Sequence, residues 1–252
     1  MHQKYCVIVP HYNHHVQLPP VLEELGSLDL PILVVDDGSD TASVSALEAL
    51  VAQWPNCELF AFTPNEGKGS AVKNGLRVAA ERGYTHAIQV DADGQHELGN
   101  IATLMALSRA HPDSLISGCP VFDDSVPKSR LHGRKLTTFC VMIETLSNDI
   151  KDAMCGFRVY PIAKVLAICN SANLRPRMQF DTEILVHWHW RGGEVVFHPT
   201  HVRYPESGLS HFRLLRDNVH ITLMHTRLII GMLWRSPLLV GRRLLRQTKH
   251  ST

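Results

Sequence analysis

Residues 87–96 are Ala87-Ile88-Gln89-Val90-Asp91-Ala92-Asp93-Gly94-Gln95-His96, an apolar strand pattern that continues directly into two carboxylates. Side chains at positions i and i+2 of an extended chain point the same way, so Asp91 and Asp93 can face one point beyond the strand. Open α/β sheets bind ligands at the carboxyl ends of their strands. Two carboxylates there suit Mg²⁺ or Mn²⁺, which keep coordination positions open for a diphosphate. The alternative is an Asp-x-Asp-Gly surface turn, because the motif is weak alone.

Three strand-loop-helix units precede this stretch. Strands are predicted at residues 5–10, 31–35, 58–62 and 85–90, and helices at residues 18–28, 41–54 and from 65–70 to 82. The continuous apolar, β-branched strands are typical of buried parallel strands. Four units within residues 5–93 therefore predict an α/β fold with a doubly wound, mainly parallel sheet flanked by helices. All four loops should then lie at one edge of the sheet.

Two of these loops carry groups that suit a nucleotide. Asp36 and Asp37 can accept hydrogen bonds from a ribose or a base, and a helix N-cap is the equal alternative. Gly67-Lys68-Gly69 begins a helix and offers backbone N–H groups, a positive dipole end and one lysine to an anion. The run lacks the spacing of a P-loop.

The rest of the chain is predicted to continue with mixed helices and strands. Helices are expected at residues 98–110, from 126–135 through 148 and at 180–191, and extended segments at 114–118, 194–197 and 201–205. Residues 206–252 mix apolar and basic residues, and no run reaches eighteen uncharged apolar residues. A membrane-spanning helix is therefore not expected. Basic amphipathic helices at a membrane interface are predicted instead, the alternative being a helix packed on the sheet.

Composition and charge exclude several classes of protein. The chain has 252 residues, of which 44% are hydrophobic and 19% charged, as in an ordinary globular protein. Its six cysteines form no Cys-x-x-Cys pair, which argues against zinc ribbons and redox motifs and suits free thiols in a reducing compartment. No secretory signal is visible before the first strand.

The charge is unevenly distributed along the chain. Residues 201–252 hold nine Lys or Arg against two acids, a net charge of +7, which leaves −6 for residues 1–200 because the whole chain carries +1. A basic end indicates an anionic surface as partner, either membrane or nucleic acid. Nucleic acid is disfavoured because aromatic stacking residues are not interleaved along this end as single-strand binders need.

Four motifs, in the same order and spacing, resemble those of the family 2 glycosyltransferases. They are Val9-Pro10-x-Tyr12-Asn13, Val34-Val35-Asp36-Asp37-Gly38-Ser39, Asn65-Glu66-Gly67-Lys68-Gly69 and Asp91-Ala92-Asp93-Gly94-Gln95-His96. The nearest branch is the dolichyl-phosphate (polyprenyl-phosphate) mannose synthase-like group, and the resemblance covers residues 5–205. It implies a GT-A fold, a nucleotide-diphosphate sugar donor such as a UDP- or GDP-sugar, a divalent metal and inversion at the anomeric carbon.

The resemblance also assigns donor and metal residues. The metal would be Mg²⁺ or Mn²⁺, bound by Asp91 and Asp93 with help from Gln95. The residues expected to bind the nucleotide sugar are Pro10, Tyr12, Asn13, Asp36, Asp37, Lys68, Gly69, Asp91 and Ala92.

On the acceptor side, basic residues are expected to bind a phosphate and carboxylates to supply a base. The phosphate candidates are Arg130, Arg134, Arg158, Arg203 and His211, and the catalytic candidates are Asp181, then Glu183 and Asp152. Alternatives stay open: a solvated helix face for Arg130 and Arg134, a buried ion pair with Asp152 or Asp181 for Arg158, and an acid-rich helix start for Asp181 and Glu183. The family's arginine after the strand glycine is absent, since Cys119-Pro120 follows Gly118, which tilts the expectation towards a hydroxyl or an unusual lipid acceptor.

The sequence therefore predicts a metal-dependent inverting glycosyltransferase with a lipid-linked or membrane-associated acceptor. Residues 1–205 would form the catalytic domain, and residues 206–252 an acceptor loop and membrane-associating tail. The protein would be cytoplasmic and lie peripherally on the inner face of the cytoplasmic membrane. A sugar-nucleotide pyrophosphorylase is the first alternative, although the loop at residues 10–14 lacks that class's glycines. The second is a non-catalytic membrane-associated scaffold, which would not need its carboxylates.

Overall fold

The computed structural model describes residues 3–14, 16–122, 126, 128–202 and 214–249. The strands within these ranges are β1 Tyr5–His11, β2 Ile32–Asp37, β3 Cys57–Phe62, β4 His86–Gln89, β5 Leu115–Phe122, β6 Arg158–Pro161 and β7 Val195–Val202. The helices are α1 Leu18–Gly26, α2 Thr41–Val51, α3 Lys68–Glu81, α4 Ile101–Ala110, α5 Lys128–Thr145, α6 Ile162–Ser171, α7 Phe180–Trp190 and α8 Leu214–Lys249.

The strands form one sheet in the order β3-β2-β1-β4-β6-β5-β7. Only β6 runs antiparallel to its neighbours, β4 and β5. The expectation of a mainly parallel sheet flanked by helices is thus confirmed, and the loops after β1, β2, β3 and β4 lie at one edge because these strands are parallel.

Helices cover both faces of the sheet, and alternation along β1 shows how the sequence directs this. Cys6 and Ile8 point into a core formed with α3, α6 and α7, whereas Val7 and Val9 point into a core formed with α1, α2 and α4. Successive side chains of a strand face opposite sides of a sheet, so an uninterrupted apolar run is needed when both sides are covered.

The structure corrects the predicted elements in the second half of the chain. Strand β6 and helix α6 were not predicted, because residues 151–160 were interpreted as a binding motif. Strand β5 continues to Phe122, and the two extended segments at 194–197 and 201–205 belong to the single strand β7 as far as Val202. A short 3-10 turn, Leu98–Asn100, precedes α4.

The tail from Leu214 is one 36-residue helix rather than several. Met224, Leu228, Met232 and Leu239 are buried, and the helix packs on α5 and α7 rather than on the sheet. Pro237 lacks the N–H that would bond the Leu233 carbonyl, and the Ser236 hydroxyl donates to that carbonyl instead (2.9 Å). Within the described ranges, no helix has the length and apolarity to span a membrane. The proposed boundary between residues 205 and 206 lies outside the described residues.

Candidate active site

Lys68 joins two of the predicted site carboxylates at the carboxyl edge of the sheet. Its Nζ lies 2.9 Å from Oδ2 of Asp91, after β4, and 2.9 Å from Oδ2 of Asp181, in the first turn of α7. The side chains of Lys68 and Asp91 are each 19% exposed, and that of Asp181 is 5% exposed. One ammonium group therefore fixes two carboxylates that are ninety residues apart in the sequence.

Burial and ion pairing shift the pKa values of this cluster in opposite directions, and ion pairing has the larger effect. Burial alone would raise the pKa of Asp91, but the charge of Lys68, together with His96, lowers that pKa well below its usual range. Burial likewise acts to lower the pKa of Lys68, and Asp181 and Asp91 raise it instead. Both groups therefore carry full charge at neutral pH.

Asp93 lies beside this cluster, and within the described part of the chain it forms no ion pair. Its Oδ1 accepts a hydrogen bond from the backbone N–H of Gln95 (3.1 Å). Burial, and then the charge of Asp91, raises the pKa of Asp93. A divalent cation between the two carboxylates would relieve that repulsion, so the pair fits the predicted metal.

The protein supplies few metal ligands here. Among the described residues, no group of three or more His, Cys, Asp or Glu side chains is placed to hold an ion. Two carboxylates still suffice for Mg²⁺ or Mn²⁺, because such ions commonly complete their coordination with waters and substrate phosphates.

A second layer of buried groups positions Asp91. Gln89 Nε2 donates to Asp91 Oδ1 (3.2 Å), and the Tyr160 hydroxyl donates to Gln89 Oε1 (3.0 Å). Arg158 is fully buried and donates to the backbone carbonyls of Asp181 (2.7 Å) and Ala153 (3.0 Å). Arg158 therefore cannot contact an acceptor phosphate, and the expected role is wrong. Arg158 instead holds the backbone of Asp181 and Ala153 beneath the site, and its Nη1 lies 4.0 Å from Asp181 Oδ1.

The loop at residues 152–156 connects this cluster to a pocket. A Cβ placed on Gly156 would lie 2.6 Å from Asp91 Oδ2 and 2.7 Å from Lys68 Nζ, so a larger residue there would displace these two side chains. At the other end, Asp152 Oδ1 accepts from the N–H groups of Met154 (2.9 Å) and Cys155 (2.8 Å).

The pocket has a volume of about 350 Å³ and lies between β5 and α5. Its lining is apolar with a few charged groups: Cys119, Pro120, Phe122, Leu131, Arg134, Lys135, Thr138, Phe139, Met142, Lys151 and Asp152. Arg134 forms a two-pronged pair with Asp152 (3.0 Å for each contact) and lies 5.2 Å from the centre of the Phe122 ring. Arg134 and Asp152, both predicted acceptor-side residues, thus meet in one pocket.

Known proteins resemble this arrangement at the level of both sequence and fold. Residues 6–166 match the model of "Glycosyl transferase family 2". The chain belongs to this family. Among its relatives are a dolichyl-phosphate beta-glucosyltransferase of Dictyostelium discoideum (30% identity, 71% of this chain and 60% of the relative) and a polyprenol monophosphomannose synthase of Mycolicibacterium smegmatis (30% identity, 63% and 62%).

Two solved structures share the fold. Glucosyl-3-phosphoglycerate synthase of Mycobacterium tuberculosis, in complex with Mn²⁺, UDP and glucosyl-3-phosphoglycerate, has a TM-score of 0.64 at 14% identity over 92% of this chain and 80% of its own. S. aureus TarS residues 1–349 with UDP-GlcNAc gives 0.58 at 16% identity, over 92% and 72%. These glycosyltransferases confirm the predicted GT-A fold. The chain spans about 60% of the length of the Dictyostelium relative.

The family's second motif is placed at the sheet edge, but its carboxylates face inwards. Asp36 is 1% exposed and accepts from His11 Nδ1 (2.8 Å) and from the backbone N–H of Ser39 (3.0 Å). Burial acts to raise the pKa of Asp36, but the hydrogen bonds from His11 and Ser39 outweigh burial and lower that pKa. The alternative N-cap role is also wrong, because Asp40 caps α2 through Ser43 N–H (2.8 Å).

Asp37 is similarly occupied by the loop that precedes α3. It is 3% exposed, and its carboxylate accepts from Asn65 Nδ2 (2.8 Å) and the backbone N–H groups of Glu66 (3.2 Å) and Gly67 (2.6 Å). Direct contact of Asp36 or Asp37 with a nucleoside is therefore contradicted by burial. Asp36 holds the loop beside Tyr12 and Asn13, which stay partly exposed, and Asp37 holds the loop at residues 65–67.

The start of α3 is partly covered by the segment around α7. The Pro176 carbonyl accepts the N–H of Ser70 (2.8 Å), and a Cβ on Gly69 would overlap Phe180 Cβ. The glycine at position 69 therefore admits this segment, and its role in donor binding stays a prediction.

Glu183 is also placed differently from its expected role. It is 1% exposed and accepts from the backbone N–H of Arg175 (2.5 Å) and from Arg227 of α8 (3.4 Å). Its contacts join α7 to α8, whereas Asp181, two residues earlier, faces Lys68. Glu183 is therefore not a base in this site.

The remaining predicted site residues lie near the cluster, on α5 or outside the described residues. Pro10 and Ala92 are buried at the sheet edge, and Arg130 is exposed on the first turn of α5. Arg203 and His211 lie outside the described residues.

Sequence reasoning missed two histidines. His11 holds Asp36, and His96 has Nε2 3.6 Å from Asp91 Oδ2 and a ring stacked on Phe157. Both histidines lie inside the family motifs quoted above, and this position was the sequence signal that could have identified them.

Proposed function

We propose that this protein transfers a hexose from a nucleoside-diphosphate sugar to a polyprenyl-type lipid phosphate. The observation that carries this proposal is the loop at residues 152–156. One end of it confines the Asp91–Lys68 pair, and the other end carries Asp152 in a largely apolar pocket with cationic groups. A donor site and an amphiphilic acceptor site are thus separated by one five-residue segment.

The donor would bind over the carboxyl ends of β1 and β4. Tyr12 and Asn13 are partly exposed there and can contact the nucleoside, while the buried Asp36 and Asp37 hold their loops. Asp91 and Asp93 would hold Mg²⁺ or Mn²⁺ against the diphosphate, where the ion supplies Lewis-acid stabilisation of the leaving nucleotide. Two of the three N–H donors of Lys68 bond Asp91 and Asp181, and its positive charge fixes Asp91 towards the site.

The acceptor would approach from the pocket side. A phosphate oxygen of the lipid forms a bond to the anomeric carbon while the bond from that carbon to the nucleoside diphosphate breaks, and inversion follows from attack on the opposite face. A phosphate monoester is largely ionised at neutral pH and needs no base. Asp181 then orients Lys68. A hydroxyl acceptor would instead require a positioned carboxylate, for which Asp181 is the candidate.

The relatives support a lipid phosphate over a free hydroxyl. Their names specify dolichyl-phosphate, undecaprenyl-phosphate and polyprenol as acceptors. The arginine that the family carries after Gly118 is missing here. Other cations line the pocket and can take its role: Arg134, Lys135 and Lys151. We further propose the inner face of the cytoplasmic membrane as its location.

The test is a thermal-shift and transfer series with UDP-, GDP- and dTDP-sugars, each with and without Mn²⁺. A ligand that binds only the native state raises the melting temperature. We expect one nucleotide to give a metal-dependent shift, and that sugar to be transferred to a short-chain polyprenyl phosphate. Pyrophosphate-dependent formation of a nucleotide sugar would favour a pyrophosphorylase, and absence of any donor shift would favour a scaffold.

A further inference from the structure

A buried histidine holds the loop that follows β1, residues 12–14. His11 is the last residue of β1 and lies opposite Asp36 in the parallel register of β1 and β2. It is 1% exposed, and both of its ring nitrogens are engaged. Its Nδ1 lies 2.8 Å from Asp36 Oδ1, and its Nε2 lies 3.2 Å from the backbone nitrogen of His14. His11 therefore joins the end of β2 to the loop beyond β1.

The partners of His11 determine which of its ring nitrogens carries the proton. The backbone N–H of His14 can only donate, so Nε2 of His11 must present a lone pair to it. Nδ1 then carries the proton and donates a hydrogen bond to the Asp36 carboxylate. We assign the neutral Nδ1–H tautomer to His11 on this basis. In this tautomer both bonds of the ring are satisfied, whereas a proton on Nε2 would leave two N–H groups facing each other.

A second set of hydrogen bonds holds the same loop from the side of α2. The Ser39 hydroxyl donates to the carboxylate that His11 binds, and it accepts the backbone N–H of Asn13 (2.9 Å). The side-chain oxygen of Asn13 accepts the backbone N–H of Asp40, the residue that caps α2 (3.1 Å). Asn13 has a φ of 53°, a left-handed conformation that asparagine adopts more readily than most residues. The loop is thus fixed at both of its ends, and Tyr12 between them is partly exposed.

We propose that His11 is a positioning residue for nucleotide binding. Its neutral imidazole accepts the N–H of His14 while it donates to Asp36, and so holds Tyr12 and Asn13 in the conformation that binds the nucleoside of the donor. His11 is itself buried and does not touch the donor. This inference rests on the proposed function, in which these two loop residues contact the nucleoside. A loop that is ordered before binding loses less conformational entropy, so losing this order should weaken nucleotide affinity rather than slow the bond-breaking step.

Two substitutions separate the two bonds of the His11 ring. His11→Asn keeps an N–H donor where Nδ1 lies and removes the acceptor of the His14 N–H, whereas His11→Gln keeps an acceptor near Nε2 and removes the donor to Asp36. Calorimetric titration of the full chain with UDP and with GDP, each with Mn²⁺, measures the dissociation constants. For the nucleotide that the wild type binds, we expect His11→Asn to raise the dissociation constant about tenfold and His11→Gln less than about threefold. The kcat at saturating substrates should stay within about twofold of the wild type in both variants.

The matched control is His86→Asn, which changes another buried histidine of the same sheet. His86 is 5% exposed, and its ring nitrogens lie 2.9 Å from Thr85 Oγ1 and 3.1 Å from the Pro112 carbonyl oxygen. It is the first residue of β4 and so lies at the opposite end of the strand from Asp91. We expect His86→Asn to lower the melting temperature as His11→Asn does, but to change the nucleotide dissociation constant less than about twofold.

Hydrogen exchange of the His14 amide gives a readout that needs no nucleotide. Exchange should be faster in His11→Asn than in the wild type and should stay slow in His11→Gln, because only the second variant keeps the acceptor. Unchanged exchange and unchanged nucleotide affinity in His11→Asn would overturn the positioning role, as would equal losses of affinity in His11→Asn and His86→Asn. A wild type that binds neither UDP nor GDP would overturn the proposed function and this inference with it, which distinguishes the two failures.

Discussion

At the carboxyl ends of β1, β2 and β4, charged side chains are buried and hydrogen-bonded to one another, whereas on α5 and α8 large apolar side chains are exposed. Asp36, Asp37 and Asp91 all find partners within the protein. Trp234 and Leu233, in contrast, face solvent.

The difference follows from the cost of each arrangement. A buried carboxylate without a partner is expensive, so the donor side must be organised before any ligand arrives. An exposed apolar face costs less and becomes favourable only when another apolar phase covers it. In the proposed function, the donor side is therefore preorganised by the protein, while the apolar surface beside the acceptor pocket is left exposed.

The largest loss of activity is expected from Gly156→Ala, which would disturb the organised cluster of Asp91 and Lys68. The new methyl group would meet Asp91 and Lys68 at 2.6–2.8 Å. Because the atoms it meets are side-chain ends, the fold should survive while the cluster is displaced. We expect kcat/KM to fall about 100-fold or more.

The control for this variant is Gly133→Ala in α5, where a Cβ meets nothing within 4 Å. It should keep activity and gain up to about 1 kcal/mol in the free energy of unfolding from helix propensity. Activity of Gly156→Ala comparable to that of Gly133→Ala would contradict the preorganised cluster.

Next in size is the contrast between Asp91→Asn and Asp93→Asn. Asp91 has a lowered pKa, so its pairing stabilises the fold above the unfolded pKa near 3.9 and is lost as the pH falls below it. Asn at this position should cost about 2 kcal/mol at neutral pH. Asp93 has a raised pKa, so its ionised form opposes folding, and Asn should leave stability unchanged or increase it.

Urea unfolding at pH 7 measures both variants, and thermal shifts with UDP and Mn²⁺ measure metal binding. Both should lose the Mn²⁺-dependent shift, although only Asp91→Asn is destabilised. A retained Mn²⁺ shift in Asp93→Asn would remove that carboxylate from the metal site.

A smaller and more selective effect is expected from Arg134→Gln, which tests the acceptor side. The guanidinium, on α5, pairs with Asp152 at the end of the loop opposite Gly156. We expect the KM for a polyprenyl phosphate to rise about tenfold and the donor KM to change less than about twofold, since one charged contact is lost. Initial rates with each substrate varied in turn provide the measurement. An equal rise in both KM values would show that Arg134 acts through the fold.

The smallest effect on catalysis is expected from Glu183→Gln. Its partners are Arg175 and Arg227, so the substitution should lower stability by about 1 kcal/mol while kcat stays within about threefold of the wild type. Asp181→Asn is the matched comparison and should lower kcat further, because it faces Lys68. A larger loss of kcat in Glu183→Gln than in Asp181→Asn would restore Glu183 as a base.

The sequence predicted the first four strands and the edge where their loops meet, because apolar runs and turn residues are local signals. It also identified Asp91 and Asp181, but not that Lys68 joins them, since that contact connects α3, β4 and α7. Burial explains the wrong assignments: Asp37, Arg158 and Glu183 have residue types that suit a site, and only the packing shows that their side chains point inwards. Strand β6 was missed because it is only four residues long, starts with Arg158 and overlaps residues that were interpreted as a binding motif.

The loop at residues 152–156 also bears on the order in which substrates act. Asp152 is fixed by Arg134 at one end, and Gly156 confines Asp91 and Lys68 at the other. In the proposed transfer, an acceptor phosphate that drew Arg134 away from Asp152 would release one end of this loop, whose other end confines Asp91 and Lys68. By linkage, any effect of the acceptor on donor binding would be matched by an equal effect of the donor on acceptor binding. A coupling that strengthens both would keep the nucleotide sugar from being hydrolysed while no acceptor is present.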